Sequence, residues 1–183
     1  MRATWGAMTW VFLVLSPLAR TAPAQARSKP LGLWTGIGLG YGTARVSCSG
    51  CAASNKGGPT GTLFLGGNVS PLVRFGVETN LWLSHPDWLW NLSAALYYFP
   101  EPGSRFFVKG GAGLAQYHRK RPVVGTNGMG IGVLGGLGYF PTLGKSAVLG
   151  PVANVRYGLV GKVGTSQRTQ FVADVGLQLQ LKW

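Results

Sequence analysis

The chain has 183 residues, of which 46% are hydrophobic and only 11% are charged. Soluble domains carry about 25% charged residues, so a chain this poor in charge must hide apolar surface outside an ordinary aqueous fold. The net charge of +13 would suit nucleic-acid binding, but the sequence has no nucleic-acid motif and starts with an export signal, so we expect no nucleic-acid partner.

Residues 1–26 have the features of a secretory signal peptide. Arg2 supplies a positive charge, residues 8–18 are almost entirely apolar, and small-x-small cleavage sites complete the pattern. A membrane anchor is the alternative, but the apolar run is short for a bilayer span and Pro17 lies near its end. We predict that residues 1–26 are removed, leaving one domain over residues 27–183 without a helical membrane span.

The rest of the chain divides into eight segments that alternate apolar and polar residues with the period of a strand. Short breaks occur at Pro71, Pro100 and Pro141, and they alternate with longer polar breaks. Proline ends strands because it has no N–H to donate to the ladder. The predicted strands cover residues 33–46, 59–69, 72–83, 88–99, 105–118, 129–140, 146–160 and 169–183.

The last segment shows the alternation most clearly. Its apolar positions are Phe171, Ala173, Val175, Leu177, Leu179, Leu181 and Trp183, and the positions between them are mostly polar. Lipid outside and a hydrated lumen inside would produce this pattern. Short turns at one end and longer loops at the other are also typical of outer-membrane barrels. The sequence therefore predicts an all-β fold, an eight-stranded antiparallel transmembrane up-and-down β-barrel.

Taken together, the signal peptide, the eight alternating strands and the terminal aromatic residue resemble the small outer-membrane barrels of the OmpA/OmpX type over residues 27–183. The resemblance implies a bacterial outer-membrane location, contacts with outer-membrane lipid and lipopolysaccharide, and a monomeric state. It also implies recognition of the last strand by the outer-membrane barrel assembly machinery. The residues that match this assembly signal are Val175, Leu177, Leu179, Leu181 and Trp183.

Six charged residues occupy inward positions of the predicted strands. A charge facing lipid costs roughly 2–4 kcal/mol at the bilayer midplane, and charges inside a narrow lumen need partners. We expect Arg156 to pair with Asp174 on the neighbouring strand, and Glu78 to pair with Lys109 or Arg74. This network would plug the lumen, and a narrow pore is the alternative. The predicted lumen charge network is Arg74, Glu78, Lys109, Arg156, Asp174 and Lys182.

A second group of cations lies in the predicted outer loops and strand ends. It could be a solvated surface, or it could hold lipopolysaccharide phosphates or acidic surfaces of other cells by charge-assisted hydrogen bonds. The predicted basic rim consists of Arg45, Lys56, Arg119, Lys120, Arg121, Lys162 and Arg168.

Other motifs give weaker signals. Cys48 and Cys51 lack a second CxxC and fit a local disulfide better than a metal or redox site. The glycine-rich run 130–135 lacks the following acid of a dinucleotide site, so we expect no cofactor and no metal.

Catalysis would need an acid–base group beside a nucleophile. Ser84, His85 and Asp87 share one predicted loop, but neighbouring residues on a strand point to opposite faces. His118, beside the basic run, is the other candidate. We expect no enzymatic activity, with a lipid-A-modifying enzyme as an alternative. A soluble lipocalin-like binding barrel would require an apolar lumen and a polar exterior, the reverse of the last strand.

Overall fold

The computed structural model describes residues 32–48, 53–119, 126–141, 146–163 and 166–182. Each strand pairs antiparallel with the next, and β8 pairs with β1 to close the barrel, as predicted. No helix in these ranges is long and apolar enough to span a membrane. The predicted signal peptide lies outside the described residues. The strands are β1 Leu33–Cys48, β2 Ser54–Asn68, β3 Val73–Ser84, β4 Asp87–Tyr98, β5 Phe106–Arg119, β6 Thr126–Tyr139, β7 Ala147–Val163 and β8 Ser166–Lys182.

The largest boundary differences from the sequence prediction lie at one end of the barrel. Strand β2 begins at Ser54 instead of residue 59, because Asn55 and Lys56 continue the ladder opposite Arg45 and Ala44. The predicted polar loops therefore extend the paired strands. We call this end the rim, and the end at which β1 begins and β8 ends the base.

The sequence predicted short turns at one end of the barrel and longer loops at the other, and this prediction is wrong. Many residues of the predicted long loops instead belong to the paired strands. The rim connections are residues 49–53, 85–86, 120–125 and 164–165, and the base connections are residues 69–72, 99–105 and 140–146.

Large apolar side chains cover the outside of the barrel. Leu39 and Ile131 are each 70% exposed in the isolated chain, and such exposure recurs at alternate positions of every strand. The lumen holds polar and charged side chains as well as apolar ones. This distribution is the reverse of a soluble lipocalin-like barrel and fits a barrel surrounded by lipid. The outward residues include Ile37, Leu39, Tyr41, Leu63, Leu65, Phe75, Val77, Leu96, Leu114, Ile131, Val133, Leu137, Tyr157, Val175 and Leu177.

The lumen is packed in layers along the barrel axis. A base cluster of buried apolar residues includes Trp34, Phe64, Tyr97, Phe99, Phe107 and Phe140. A second cluster, nearer the rim, includes Trp82, Leu89, Tyr117, Val160 and Val172. On β5 and β7, the buried Lys109 and Arg156 lie between members of these two clusters.

Glycines make room for the large rings of the base cluster. A Cβ added to Gly138 would lie 2.5 Å from the Phe107 ring, and one added to Gly76 would lie 2.8 Å from the Trp34 ring. A Cβ at Gly36 of β1 would likewise collide with the Phe64 ring, so these inward glycines have a packing reason. Large rings on one strand fill the space that small residues leave on another.

Candidate functional site: the lumen and its two mouths

The lumen charge cluster is centred on Glu78 of β3. Its carboxylate accepts hydrogen bonds from Lys109 Nζ at 2.6 Å, from the Tyr97 hydroxyl at 2.8 Å and from Arg156 Nη2 at 3.3 Å. Glu78, Lys109 and Arg156 are all buried, with 2%, 5% and 3% of their surface exposed. The cluster therefore joins β3, β4, β5 and β7 across the lumen.

Arg156 connects this group to the second acid, Asp174 of β8. Its Nη1 donates to Asp174 Oδ2, while Asn154 Nδ2 donates to Asp174 Oδ1 at 2.9 Å. In the ladder, Asp174 faces Asn154 and Arg156 faces Val172, so Arg156 and Asp174 are diagonal neighbours on the inward face. The two acids and the two bases balance, which leaves the middle of the lumen without net charge.

Period-two alternation could place these residues inward, but it could not identify all their partners. Tyr97 and Asn154 are neutral and were missed, although each occupies an inward position next to a charged residue. Inward polar residues directly opposite a predicted charge were the signal that could have found them.

The other two members of the predicted lumen network lie apart from the cluster, at the base. Arg74 stacks its guanidinium over the Phe99 ring at 4.2 Å and reaches Gln180 Oε1 at 3.5 Å. Lys182 is exposed and pairs in the ladder with Trp34. Neither of these two cations contacts Glu78 or Asp174, so Glu78 takes Lys109 and not Arg74 as its partner.

The described cations of the predicted basic rim differ in orientation. Lys56 pairs with the buried Asp87 at 2.6 Å, and Asp87 also accepts a hydrogen bond from the Tyr117 hydroxyl at 3.1 Å. Arg168 lies over the Tyr117 ring at 5.5 Å. Arg45 instead occupies an outward position on β1 and is exposed.

The side chains of four predicted rim cations lie outside the described part of the structure. Arg119 and Lys162 are backbone positions at the ends of β5 and β7, while Lys120 and Arg121 lie outside the described residues. The same holds for the predicted disulfide, since Cys48 is described only as a strand residue and Cys51 not at all.

The candidate catalytic residues separate between the two faces of the barrel wall. Asp87 is buried at an inward position, whereas His118 stacks on the outward Trp88 at a ring distance of 4.8 Å. His85 is exposed in the two-residue turn between β3 and β4. Within the described part of the chain, no group of three or more His, Cys, Asp or Glu residues could hold a metal ion.

The predicted assembly signal lies on the lipid-facing side of β8 where it is described. Val175, Leu177 and Leu181 are 65%, 56% and 40% exposed, and Leu179 is half-buried. Trp183 lies outside the described residues.

Comparison with solved structures finds small barrels, and the match to Neisserial surface protein A supports the fold. Neisserial surface protein A is 19% identical with a TM-score of 0.56, and the match covers 82% of this chain and 97% of that one. The attachment invasion locus protein Ail of Yersinia pestis is 12% identical, covers 79% and 97%, and has a TM-score of 0.49. The N-terminal β-barrel domain of Pseudomonas aeruginosa OprF is 11% identical, covers 80% and 97%, and has a TM-score of 0.48. No protein-family model and no curated protein sequence matches the chain.

The closed ladder and the apolar exterior together determine the environment. A closed barrel satisfies every backbone hydrogen bond within hydrocarbon, because it has no open sheet edge. An outward apolar surface around a polar lumen is the arrangement of bacterial outer-membrane barrels. The chain is therefore an eight-stranded β-barrel of the bacterial outer membrane.

Proposed function

We propose that this protein is a closed, non-enzymatic outer-membrane barrel with a structural or surface-interaction role. The observation that supports the proposal best is the neutral charge cluster of Glu78, Lys109, Arg156 and Asp174, which crosses the lumen between two apolar layers. Buried ion pairs in such a position resist separation, because breaking one leaves an unpaired charge in a low-dielectric site.

Conductance in planar bilayers tests the closed lumen. We expect purified, folded protein to give no steady current, since the side chains of the charge cluster and the base cluster are buried within the lumen. Folding would be checked by the difference in gel migration between unboiled and boiled samples. Steady single-channel currents from the folded protein would contradict the closed barrel.

The proposed surface role is to bind lipopolysaccharide. Arg45 supports it, because this cation is exposed on the outward face near the rim, next to Phe171 in the ladder. A guanidinium at this level can hold a lipid phosphate by charge-assisted hydrogen bonds. Lys56 and Arg168 are less suited, since their described contacts are with Asp87 and Tyr117 inside the rim.

Binding of lipopolysaccharide to detergent-purified protein tests this assignment. We expect Arg45→Gln to weaken binding and Lys56→Gln to change it less, because Lys56 is directed to Asp87. Equal effects of the two substitutions, or no effect of Arg45→Gln, would contradict the role of Arg45. The assembly machinery and surrounding lipid are the other proposed partners, and the proposed state is a monomer.

A narrow pore is the second candidate, and buried amide groups favour it. Side-chain amide atoms of Asn80, Asn91, Gln170 and Gln178 are buried without a hydrogen-bond partner among the described residues. Buried polar groups of this kind are commonly satisfied by water, so the lumen could be hydrated on both sides of the charge cluster. The bilayer measurement above distinguishes a hydrated but closed lumen from a conducting one.

A further inference from the structure

The lumen mouth at the base holds two cationic side chains near amide groups. It contains two cations, the half-buried Arg74 and the exposed Lys182. No carboxylate among the described residues lies within ion-pair distance of either side chain. Arg74 reaches Gln180, and Gln180 and Lys182 are alternate residues of β8, so both cations belong to the inward face at this end of the barrel. The fold thus holds two like charges together where the described chain provides no counter-charge.

Two neighbouring side chains hold Arg74 in place at this mouth. Phe99 lies under the Arg74 guanidinium at 4.2 Å, and Gln180 Oε1 is 3.5 Å from Arg74 Nη1, a long hydrogen bond. An arginine stacked on a ring keeps its planar N–H fork available to a ligand. Trp34, directly opposite Lys182 in the ladder, packs its ring on Phe64 and Tyr97, and its buried indole N–H has no acceptor in the described part of the chain.

The two ends of the lumen differ in whether their cations are paired with carboxylates. At the rim, Lys56 is matched by the carboxylate of Asp87. In the middle, Lys109 and Arg156 are matched by Glu78 and Asp174. The base mouth alone, among these described levels, combines two cations with neutral surroundings. An anion with several acceptor oxygens would complete it.

We propose that the base mouth, formed by Arg74, Lys182 and Trp34, is a binding site for a phosphate group. Arginine binds phosphate through a bidentate fork, and lysine binds it as a point charge. The tetrahedral oxygens can accept from both cations at once and relieve their repulsion. The phosphate can come from the headgroup of a lipid at this face of the membrane or from a free phosphate compound.

Titration calorimetry with inorganic phosphate, in a phosphorus-free detergent and at constant ionic strength, tests the site. We expect one saturable site per chain. Arg74→Gln and Lys182→Gln should each raise the Kd roughly tenfold or more, because each removes a charge-assisted hydrogen bond. Trp34→Phe keeps the ring and should cost less. Lys56→Gln, at the opposite end of the barrel where Asp87 already pairs with the cation, is the control and should leave the Kd unchanged.

Repeating the titration in phospholipid vesicles separates the two sources of phosphate. Loss of the signal in vesicles would support the site and assign it to lipid headgroups, while an unchanged signal would support it and assign it to free phosphate. Absence of saturable binding in detergent, or binding that Lys182→Gln leaves unchanged, would overturn the proposal. Lys182 is exposed, so its substitution should not prevent folding, and heat-shifted gel migration checks this for every variant.

Discussion

Arg156 is the residue that makes the lumen charges one network. It touches both acids, through Nη1 to Asp174 and through Nη2 to Glu78. Lys109 touches Glu78 at 2.6 Å and Asn154 touches Asp174 at 2.9 Å. The effect of removing one member therefore depends on which partners remain.

A double-mutant cycle on Arg156 and Asp174 measures this coupling. Breaking a buried pair by removing one partner costs roughly 3–5 kcal/mol, and we expect Asp174→Ala to fall below that range because Arg156 keeps Glu78. Arg156→Ala should cost more, since it leaves two carboxylates short of a partner. The double variant should cost less than the sum of the single losses.

Urea unfolding of the protein in detergent gives the three free energies. Tyr157→Ala, which changes the outward neighbour of Arg156, controls for disturbance of β7. Additive losses from Arg156→Ala and Asp174→Ala would show that the contact between these two side chains contributes little.

At the scale of a strand, β5 shows how one element serves lipid and lumen at once. Phe107, Lys109 and Tyr117 are buried inside, while Phe106, Val108 and Leu114 are exposed outside. The glycines of β5 also alternate between the crowded inward face and the open outward face. A Cβ at Gly113 would meet the Leu92 carbonyl and lie 2.6 Å from Ser93 Cα, whereas a Cβ at Gly110 would have no atom closer than 3.9 Å.

These two glycines form a matched pair for substitution. Gly113→Ala should destabilise the barrel by roughly 1–3 kcal/mol, because backbone atoms of β4 must move to accept the methyl group. Gly110→Ala should be neutral or stabilising by up to about 1 kcal/mol, since it restricts the unfolded chain and meets open space. Urea midpoints of the two variants provide the comparison. A larger loss for Gly110→Ala would contradict the assigned faces of β5.

The last strand, β8, carries the predicted assembly signal. Leu181 is 40% exposed on the lipid side. Changing Leu181 and Trp183 to Asp should lower outer-membrane levels and leave the protein in the periplasm or degraded, because the apolar pattern at the chain end is lost. Gln178→Asp and Gln180→Asp, on the buried inward face, provide a control with the same added charge. Normal membrane levels of the Leu181 and Trp183 variant would argue against this signal, as would equal losses in the control.

Much of this architecture could be predicted from period-two alternation, but the connectivity of the lumen could not. Alternation assigns a face to Glu78 or Lys109 from its own strand alone. Which residues then meet across the lumen depends on the closure of the ladder and on the offset between strands, which bring Arg156 of β7 to Glu78 of β3. The strand ends at the rim were also predicted wrongly. Polar residues such as Asn55 continue a strand when a partner strand satisfies their backbone hydrogen bonds.

At the scale of the whole molecule, charge is distributed unevenly along the barrel. The lumen charge cluster is neutral, while cations outnumber acids at both ends. At the base, for example, Arg74, Arg105 and Lys182 accompany the single acid Glu101. Cationic mouths concentrate anions, because a charged opening with low-dielectric walls focuses the field. Any current through a loosened barrel should therefore be carried mainly by anions.

Phe107→Ala tests both the closure and the selectivity. Phe107 is fully buried in the base cluster, where it stacks on Phe140 at 4.7 Å, and its neighbour Phe106 is 40% exposed to lipid. Removing the inward ring should open space beneath the charge cluster and allow a small current. Phe106→Ala should give no current, like the unmodified protein. Under a salt gradient, the reversal potential of the Phe107→Ala current should indicate anion preference. A cation-selective current would contradict the role of the cationic mouths, and equal currents from the two variants would show that the base cluster does not close the lumen.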